Sequence, residues 1–273
     1  MNQKQLNKLL SPNDREEIYI PNEIFKDIFN SEQLKSAKSI AFTYNYYCLI
    51  TYLYRYCKYG QGEFFTSELI KEILGYAGNN KTLDYIIKKN GILDCLQYTL
   101  TMRNFPISYE MGDYNILNFT MYSDLDLETK IIINMSKNFK IKYPVKAFHR
   151  TEESRDENLN DGTFYDISNT HLFDINIFID MVGNEEIGTI GFYLYQYLKY
   201  KNDLFKGGYT VSFEKLEKEC GVSKNTIMKY SNLLESKGYL DVINNGYRDD
   251  HRENDEGNSK HMFPNTYKVL CKG

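Results

Sequence analysis

This sequence of 273 residues has few cysteines and no long apolar run, and each absence excludes a class of protein. Its five cysteines are scattered, odd in number and without a CxxC pair, which indicates reduced, mostly buried thiols and not a disulfide framework. No stretch approaches the ~18 consecutive apolar residues of a membrane span. Residues 1–10 are polar and lack the apolar core of a signal peptide. We therefore predict a cytoplasmic protein that does not associate with membranes.

An excess of positive charge is also missing. The chain has 33 Lys and Arg against 37 Asp and Glu, which gives a net charge of -4. This balance argues against a protein that coats nucleic acid through bulk charge. Any DNA binding must therefore come from local basic faces on an acidic body. The hydrophobic content of 42% is ample for buried cores, and the length allows one large or two small domains.

Catalytic and metal-binding motifs are lacking as well. The segment 78–82 has a Lys followed by a Thr but no glycine before the Lys, so it does not match a phosphate-binding loop. His251, His261 and Cys271 match no zinc spacing. The four histidines form no His-hydrophobic-His pair of the kind that metal-dependent nicking enzymes use: His149, His171, His251 and His261. We predict no catalytic residue, no metal and no cofactor.

What the chain does contain is an internal repeat. Residues 52–59 resemble residues 193–200, with tyrosines at matching positions. Four further short matches occur in the same order with small drifts in spacing: 24–28 with 177–181, 66–69 with 212–216, 81–83 with 225–227, and 90–93 with 237–240. Chance explains one such match more easily than five in register. The repeat predicts two units of similar structure.

Each unit begins with a long apolar helix, over residues 39–59 and 185–201. Tyrosines lie on more than one face of these helices, which predicts burial on all sides. Either the packing of the two units or a homodimer would provide that burial. A short strand follows each helix, at 64–65 and 209–211.

A second helix then begins after Thr66 or Ser212, which are good N-caps, and ends at Gly75 or Gly221. The third helix begins near Asn80 or Ser223 and ends at Gly91 or Gly238. Two strands joined by a polar hairpin complete each unit: 92–100 with 115–121, and 239–243 with 266–270. Three helices followed by a β-hairpin form a winged helix.

The predicted fold class is therefore α+β, mainly α, with two winged-helix domains in tandem. The first domain covers residues 1–150 and the second covers residues 169–273. Between them, residues 151–168 form an acidic linker, because 152–161 contains five acids and one Arg. We predict that this segment is a solvated linker or loop.

A basic segment, residues 136–150, closes the first domain. It carries cations and no acid, and Phe139, Ile141, Tyr143 and Val145 alternate with its polar positions. On a strand, this alternation directs Lys140 and Lys142 outward together. The segment has two interpretations: a solvated strand face, or an arm that contacts the DNA backbone between two DNA-reading units.

The third helix of the second unit carries the clearest chemistry. Ile227 and Leu234 are seven residues apart and share its inward face. The outward side chains suit base edges in a major groove, since Lys donates to guanine, Asn pairs with adenine and Met contacts the thymine methyl group. Ser223 is predicted to cap the helix, and with Thr226 it suits phosphate or base-edge contacts. The candidate DNA-binding residues of this unit are Ser223, Lys224, Asn225, Thr226, Met228, Lys229 and Asn232.

The corresponding candidates of the first unit are weaker because its third helix, 81–90, is about one turn shorter. They are Lys81, Thr82, Lys88 and Lys89. Among the wings, the first offers Arg103, whereas the second, 244–263, offers Arg248 and Arg252 among many acids. Much of the second wing is interpreted as a mobile, solvated loop.

The run GVSKNTIMKYSNLLESKGYL, residues 221–240, is similar to the helix-turn-helix of GntR-like and related bacterial regulators of the winged-helix superfamily. Ser231 departs from that pattern, which usually places an apolar residue there. The lead-in at 173–178 and the tandem plan resemble replication initiator proteins of plasmids and phages from low-GC bacteria. This resemblance implies binding to repeated origin DNA and recruitment of host replication proteins.

Three functions are compatible with this sequence. The first is a sequence-specific protein that binds double-stranded DNA as a replication initiator of a plasmid or phage. The second is a winged-helix transcription regulator. For either of these DNA-binding functions, a two-fold homodimer is a reasonable expectation. The third is a non-catalytic winged-helix adaptor between proteins.

Overall fold

The structure is a computed structural model that describes residues 1–13, 16–60, 64–113, 116–249 and 260–270. It is rich in α-helix with small antiparallel sheets, so the predicted α+β, mainly α class is confirmed. The helices are α1 (Gln3–Leu10), α2 (Glu23–Asn30), α3 (Ala37–Arg55), α4 (Ser67–Ile73), α5 (Asp84–Ile87), α6 (Ile92–Cys95), α7 (Leu127–Ile133), α8 (Val145–Phe148), α9 (Glu152–Asp156), α10 (Ile175–Val182), α11 (Gly188–Leu204), α12 (Phe213–Cys220) and α13 (Lys224–Ser236).

The strands form five small antiparallel sheets in the described residues, in the orders β1-β6, β2-β5, β3-β4, β7-β11-β8 and β10-β9. Their bounds are β1 (Glu17–Pro21), β2 (Thr99–Met102), β3 (Pro106–Met111), β4 (Leu117–Met121), β5 (Ile141–Pro144), β6 (Thr170–Asp174), β7 (Tyr209–Val211), β8 (Leu240–Ile243), β9 (Tyr247–Asp249), β10 (Lys260–Met262) and β11 (Asn265–Val269).

The opening elements of the two units follow the same order: β1, α2 and α3 in the first, and β6, α10 and α11 in the second. The two opening strands pair with each other, with Glu17 opposite Asp174 and Pro21 opposite Thr170. The repeat in the sequence thus corresponds to a repeated order of elements, and equivalent strands of the two units meet in one small sheet.

The long helices α3 and α11 pack against each other at the centre of the molecule. Ser36 and Ser39 cap the start of α3 reciprocally, and from Ser39 to Tyr54 every side chain of this helix is buried. Asn45 of α3 donates a hydrogen bond to the carbonyl oxygen of Thr189 in α11, at 3.1 Å. One hydrophobic cluster includes residues of both units, so the units pack as one body and bury the tyrosine-rich helices between them.

His171 of β6 lies in this core, stacked against Phe25 at a ring distance of 4.9 Å. Its Nδ1 is 2.9 Å from the Asn22 amide oxygen, and its Nε2 is 2.7 Å from the Tyr44 hydroxyl. The neutral imidazole satisfies both contacts, since Nδ1–H donates to Asn22 and Nε2 accepts from Tyr44. Burial lowers the pKa of His171 to about 3, and the charge of Lys199 adds to this effect.

We expect acid to destabilise the fold through His171. The unfolded chain protonates this imidazole below about pH 6.5, whereas the folded chain resists protonation down to about pH 3. The stabilising contribution is therefore lost progressively as pH falls from 6.5. Urea unfolding should show a loss of about 2 kcal/mol between pH 8 and pH 5, and His171→Gln should flatten this part of the profile. An NMR titration that gave His171 a pKa near 6.5 in the folded protein would contradict the assignment.

The second unit ends in the predicted wing. Its first strand, β7, coincides with residues 209–211, and β8 pairs with β11 from Leu240 opposite Val269 to Ile243 opposite Thr266. The three strands form one sheet in the order β7-β11-β8. Together with α11, α12 and α13 they give the helix order and the hairpin of a winged helix. The predicted strand pairing of this unit is confirmed.

The first unit differs from the prediction after α4. No strand forms at residues 64–65. The start of the predicted strand 92–100 is instead the short helix α6, and β2 pairs with β5, not with residues 115–121. Those residues contribute β4, which pairs with β3. The predicted hairpin is therefore wrong, because the β3-β4 hairpin and α7 are inserted between the two strands that do pair.

The third helix of the first unit is also shorter than the predicted 81–90. A 3-10 turn over Lys81–Leu83 leads into α5, which ends at Ile87. Gly91 explains part of this ending, since a Cβ there would lie 2.7–2.8 Å from the carbonyl oxygens of Tyr85, Ile86 and Lys88. The chain can fold back so tightly against the end of α5 only at a glycine.

The segment 151–168 is largely exposed, in keeping with the predicted solvated linker or loop, but part of it has regular structure and packs against the first unit. Thr151 caps α9 reciprocally with Ser154. Beyond α9, the chain returns to α8: the backbone N–H of Thr163 donates to the Lys146 carbonyl, and that of Phe164 donates to the Ala147 carbonyl. Thr163 is buried. Most acids of this segment are exposed, whereas residues 162–165 are buried or half-buried against the first unit.

Candidate nucleic-acid interface

The helix-turn-helix consists of α12, a three-residue turn and α13. The Ser212 side chain accepts a hydrogen bond from the backbone N–H of Lys215, which confirms it as the N-cap of α12. Gly221 ends α12 in the left-handed conformation, with φ of 71°. Glycine suits this position for two reasons. It adopts a positive φ without strain, and a Cβ there would lie 2.7 Å from the Ile40 side chain.

The inward face of α13 is fixed by burial. Ile227 and Leu234 are fully buried, as predicted, and Val222 of the turn is buried beside them. Ser231 lies on the same face, and its hydroxyl has no hydrogen-bond partner in the part of the chain that the structure describes. The apolar side chains hold the helix against the body of the unit and leave the opposite face free.

The outward face of α13 carries the predicted candidates. Ser223, Lys224, Asn225, Met228, Lys229 and Asn232 are all exposed, and Thr226 is half-buried. Their predicted placement is therefore confirmed, while their contact with DNA stays a prediction. One detail is wrong. Ser223 is the N-cap residue, but its side chain makes no capping bond to the backbone, because its hydroxyl contacts the Thr226 hydroxyl at 2.9 Å.

The two lysines of this face, Lys224 and Lys229, differ in their neighbours. Lys224 Nζ lies 2.7 Å from Glu214 Oε1 of α12, and this contact lowers the pKa of the Glu214 carboxyl. Lys229 lies over the ring of Tyr230, at 5.2 Å from its centroid, and has no ion-pair partner among the described residues. Sequence reasoning did not identify Glu214, whose spacing of ten residues from Lys224 gives no local pattern.

The candidates of the second wing are only partly described. Arg248 belongs to β9, whose backbone pairs with β10 opposite His261. Arg252 lies outside the described residues. The possible role of this wing in binding DNA therefore stays a prediction.

Four candidates of the first unit come together. Lys88 and Lys89 follow α5, Arg103 follows β2, and Lys140 precedes β5. Lys88, Lys89 and Lys140 line one surface depression, and Lys89, Arg103 and Lys140 line its neighbour. Lys81 and Thr82 are exposed at the start of the preceding turn and line neither depression.

Lys142 corrects the prediction that it points outward with Lys140. Its side chain is only 5% exposed, and its Nζ lies 2.6 Å from Asp94 Oδ1. Burial lowers the pKa of Lys142, and the neighbouring carboxylate counteracts this shift. The alternation fails because Lys140 precedes the strand, which begins at Ile141, while the pairing of β5 with β2 brings Lys142 over Asp94. Lys142 is therefore a structural residue and not a surface contact for DNA.

The described ranges, 1–13, 16–60, 64–113, 116–249 and 260–270, also bear on metal binding and on membranes. No three His, Cys, Asp or Glu side chains there are arranged to hold a metal ion. None of the helices in those ranges is both long enough and apolar enough to cross a membrane.

Comparison with known families agrees with the geometry of the second unit. A family model described as a helix-turn-helix domain matches residues 200–240. The match runs from the last turns of α11, through α12 and α13, to the first residue of β8. No curated protein and no solved structure shows significant similarity to the chain. Residues 200–240 are thus similar to a helix-turn-helix domain, the element that the burial and exposure of α13 also indicate.

Proposed function

We propose that the chain binds a specific site in double-stranded DNA by placing α13 in the major groove. The observation that carries this proposal is the division of α13 into a buried apolar face and an exposed face of cations, amides and a thioether. An α-helix fits the major groove, where base edges differ in their donors and acceptors. The family match at residues 200–240 supports the same function.

The side chains of α13 suggest a division of roles. Lys224 and Asn225, in the first turn, are placed to donate to guanine and to pair with adenine. Met228, 41% exposed, lies one turn further along and suits a thymine methyl group. Ser223 and Thr226 lie at the helix N-terminus, where hydroxyl and backbone N–H groups suit a phosphate. Lys229 and Asn232 extend this face towards the C-terminal end of the helix.

Among DNA-binding functions, we favour a replication initiator of a plasmid or phage acting in the cytoplasm. The repeated order of β1, α2 and α3 and of β6, α10 and α11 supports this choice, since it agrees with the tandem plan that suggested the resemblance. A transcription regulator is the second candidate, since its helix-turn-helix would have the same geometry. A homodimer and contacts with host replication proteins remain predictions.

Selection of bound sequences from random duplex DNA tests the proposal. We expect one enriched sequence motif. If that motif recurs as direct repeats near a replication origin, the initiator is supported; if it occurs as a palindrome overlapping a promoter, the regulator is supported. The absence of any enriched sequence would contradict specific recognition and favour the protein adaptor.

A further inference from the structure

A second cluster of cations lies on the first unit, away from α13. Lys88, Lys89, Arg103 and Lys140 surround two adjoining depressions that share Lys89, Thr101 and Lys140. The floor includes Tyr46 of α3. We call the site formed by the four cations and Tyr46 the basic pocket. Its cations come from three separate segments of the chain, so that only the fold brings them together.

Buried contacts hold these segments in place. After α5 ends, Lys88 adopts an extended conformation with ψ of 165°. Its carbonyl oxygen accepts a hydrogen bond from Lys142 Nζ at 3.1 Å, and the same Nζ pairs with Asp94. Strand β2 lies beside β5 with Thr101 opposite Lys142. Lys142 thus ties the Lys88 backbone to the sheet that leads to the other cations.

The charge of the basic pocket is not neutralised within the described part of the chain. None of its four cations forms an ion pair there, and none of the described lining residues is acidic. The nearest buried carboxylate, Asp94, is occupied by Lys142, Thr99 and the Asn90 backbone. Four unpaired cations around one concave surface form a positive field that attracts an anion.

Tyr46 adds a hydroxyl to the pocket. Its side chain is only 3% exposed and lines the pocket. Burial raises the pKa of Tyr46, and the charges of Asp94 and Glu68 add to this shift, so that the hydroxyl keeps its proton and remains a donor. A phosphate group in the pocket would accept a hydrogen bond from it.

The volume of the pocket limits the size of the anion that it can bind. The two depressions have volumes of about 180 and 200 Å³, and each is smaller than the roughly 300–1,000 Å³ of sites for whole cofactors and other small molecules. Each depression therefore suits a small anion such as a phosphate group. Lysine and arginine side chains, together with a hydroxyl donor, are common phosphate contacts in DNA-binding proteins.

We propose that the basic pocket binds a phosphate group of the DNA backbone, at a contact separate from the α13 interface. This inference rests on the proposed function, because the phosphate belongs to the duplex that α13 reads. Backbone contacts position a protein on DNA without selecting bases. The pocket should therefore contribute affinity for any sequence.

The test compares Lys89→Ala/Lys140→Ala with Lys4→Ala/Lys8→Ala, which removes the same charge from α1. Binding of the full chain to a 20-base-pair duplex of the selected sequence, and to a scrambled duplex, is measured from 50 to 200 mM salt. Each lost phosphate contact should lower the salt slope by about 0.9. Because the pocket holds one phosphate group, the pocket variant should lose about 0.9 from the slope, equal to a roughly three- to fourfold smaller salt effect over this range, on both duplexes. The α1 variant should keep the parent slope.

A phosphorus-31 NMR titration with inorganic phosphate distinguishes the source of the anion. A slope change without phosphate binding at millimolar concentration supports a DNA phosphate. Phosphate binding that the pocket variant loses, with an unchanged DNA slope, would overturn the proposal in favour of a free anion. An unchanged slope and no phosphate binding would overturn it entirely, while the parent's DNA binding would leave the proposed function intact. A parent that binds no DNA would instead contradict the proposed function.

Discussion

The triple variant Lys224→Ala/Asn225→Ala/Lys229→Ala is expected to bind the selected duplex at least ~100-fold more weakly than the parent. Each base contact is worth about 1–3 kcal/mol, and three side chains of one helix face are removed together. All three are exposed, and alanine favours the helical conformation. The fold should therefore survive, which circular dichroism and urea unfolding can verify beside the binding measurement.

Glu214→Gln is a control that is expected to change the DNA affinity in the opposite direction. Glu214 lies 2.7 Å from Lys224 Nζ, so under the proposed function it competes with DNA for this cation. Removing its charge should tighten binding roughly two- to fivefold, in keeping with the modest strength of exposed ion pairs.

An unchanged affinity in the triple variant, at a site that the parent selects, would refute the assignment of α13 to the groove.

The second large effect is expected at Asp94, which should matter for stability. Asp94→Ala leaves the Lys142 ammonium group buried without its carboxylate partner. Removing one partner of a buried ion pair usually costs about 3–5 kcal/mol. Asp94 also accepts hydrogen bonds from the Thr99 hydroxyl and the Asn90 backbone N–H, so its loss should loosen the start of α6 and the adjoining β2.

Urea unfolding of Asp94→Ala and of the double variant Asp94→Leu/Lys142→Met separates charge from packing. The double variant removes both charges and should recover a large part of the lost stability, since apolar replacements of buried ion pairs are often tolerated. A loss below about 1 kcal/mol in Asp94→Ala would show that Lys142 finds water or another partner. In that case, the ion pair would not be what fixes Lys88 at the edge of the basic pocket.

The second unit could be predicted closely because its signals are local. Ser212 and Gly221 mark both ends of α12, and the spacing of Ile227 and Leu234 identifies the buried face of α13. Capping and periodicity depend on residues within a few turns of one another. The pairing of β8 with β11 followed from the same order of elements, although the loop between them is long.

The first unit could not be predicted in the same way because its contacts are distant in sequence. Strand β2 pairs with β5, about 40 residues later, across an inserted hairpin and helix. Alternation in residues 139–145 was compatible with a strand, which forms over Ile141–Pro144, but it did not reveal the partner that draws Lys142 inward. That partner, Asp94, lies on a short helix where a strand was predicted. The basic pocket likewise depends on this pairing, so its cations appeared in the sequence only as separate candidates.

The packing of α3 against α11 has a consequence for the shape of any DNA site. Two DNA-binding surfaces joined by a flexible linker can bind sites at many separations. Two surfaces on one rigid body can bind only sites at a fixed separation. Within the described residues, the hydrogen bond from Asn45 to the Thr189 carbonyl and the continuous core join the two units into one body. A duplex that engages both surfaces must therefore present its groove and its backbone at one distance and one rotational phase, or bend until it does.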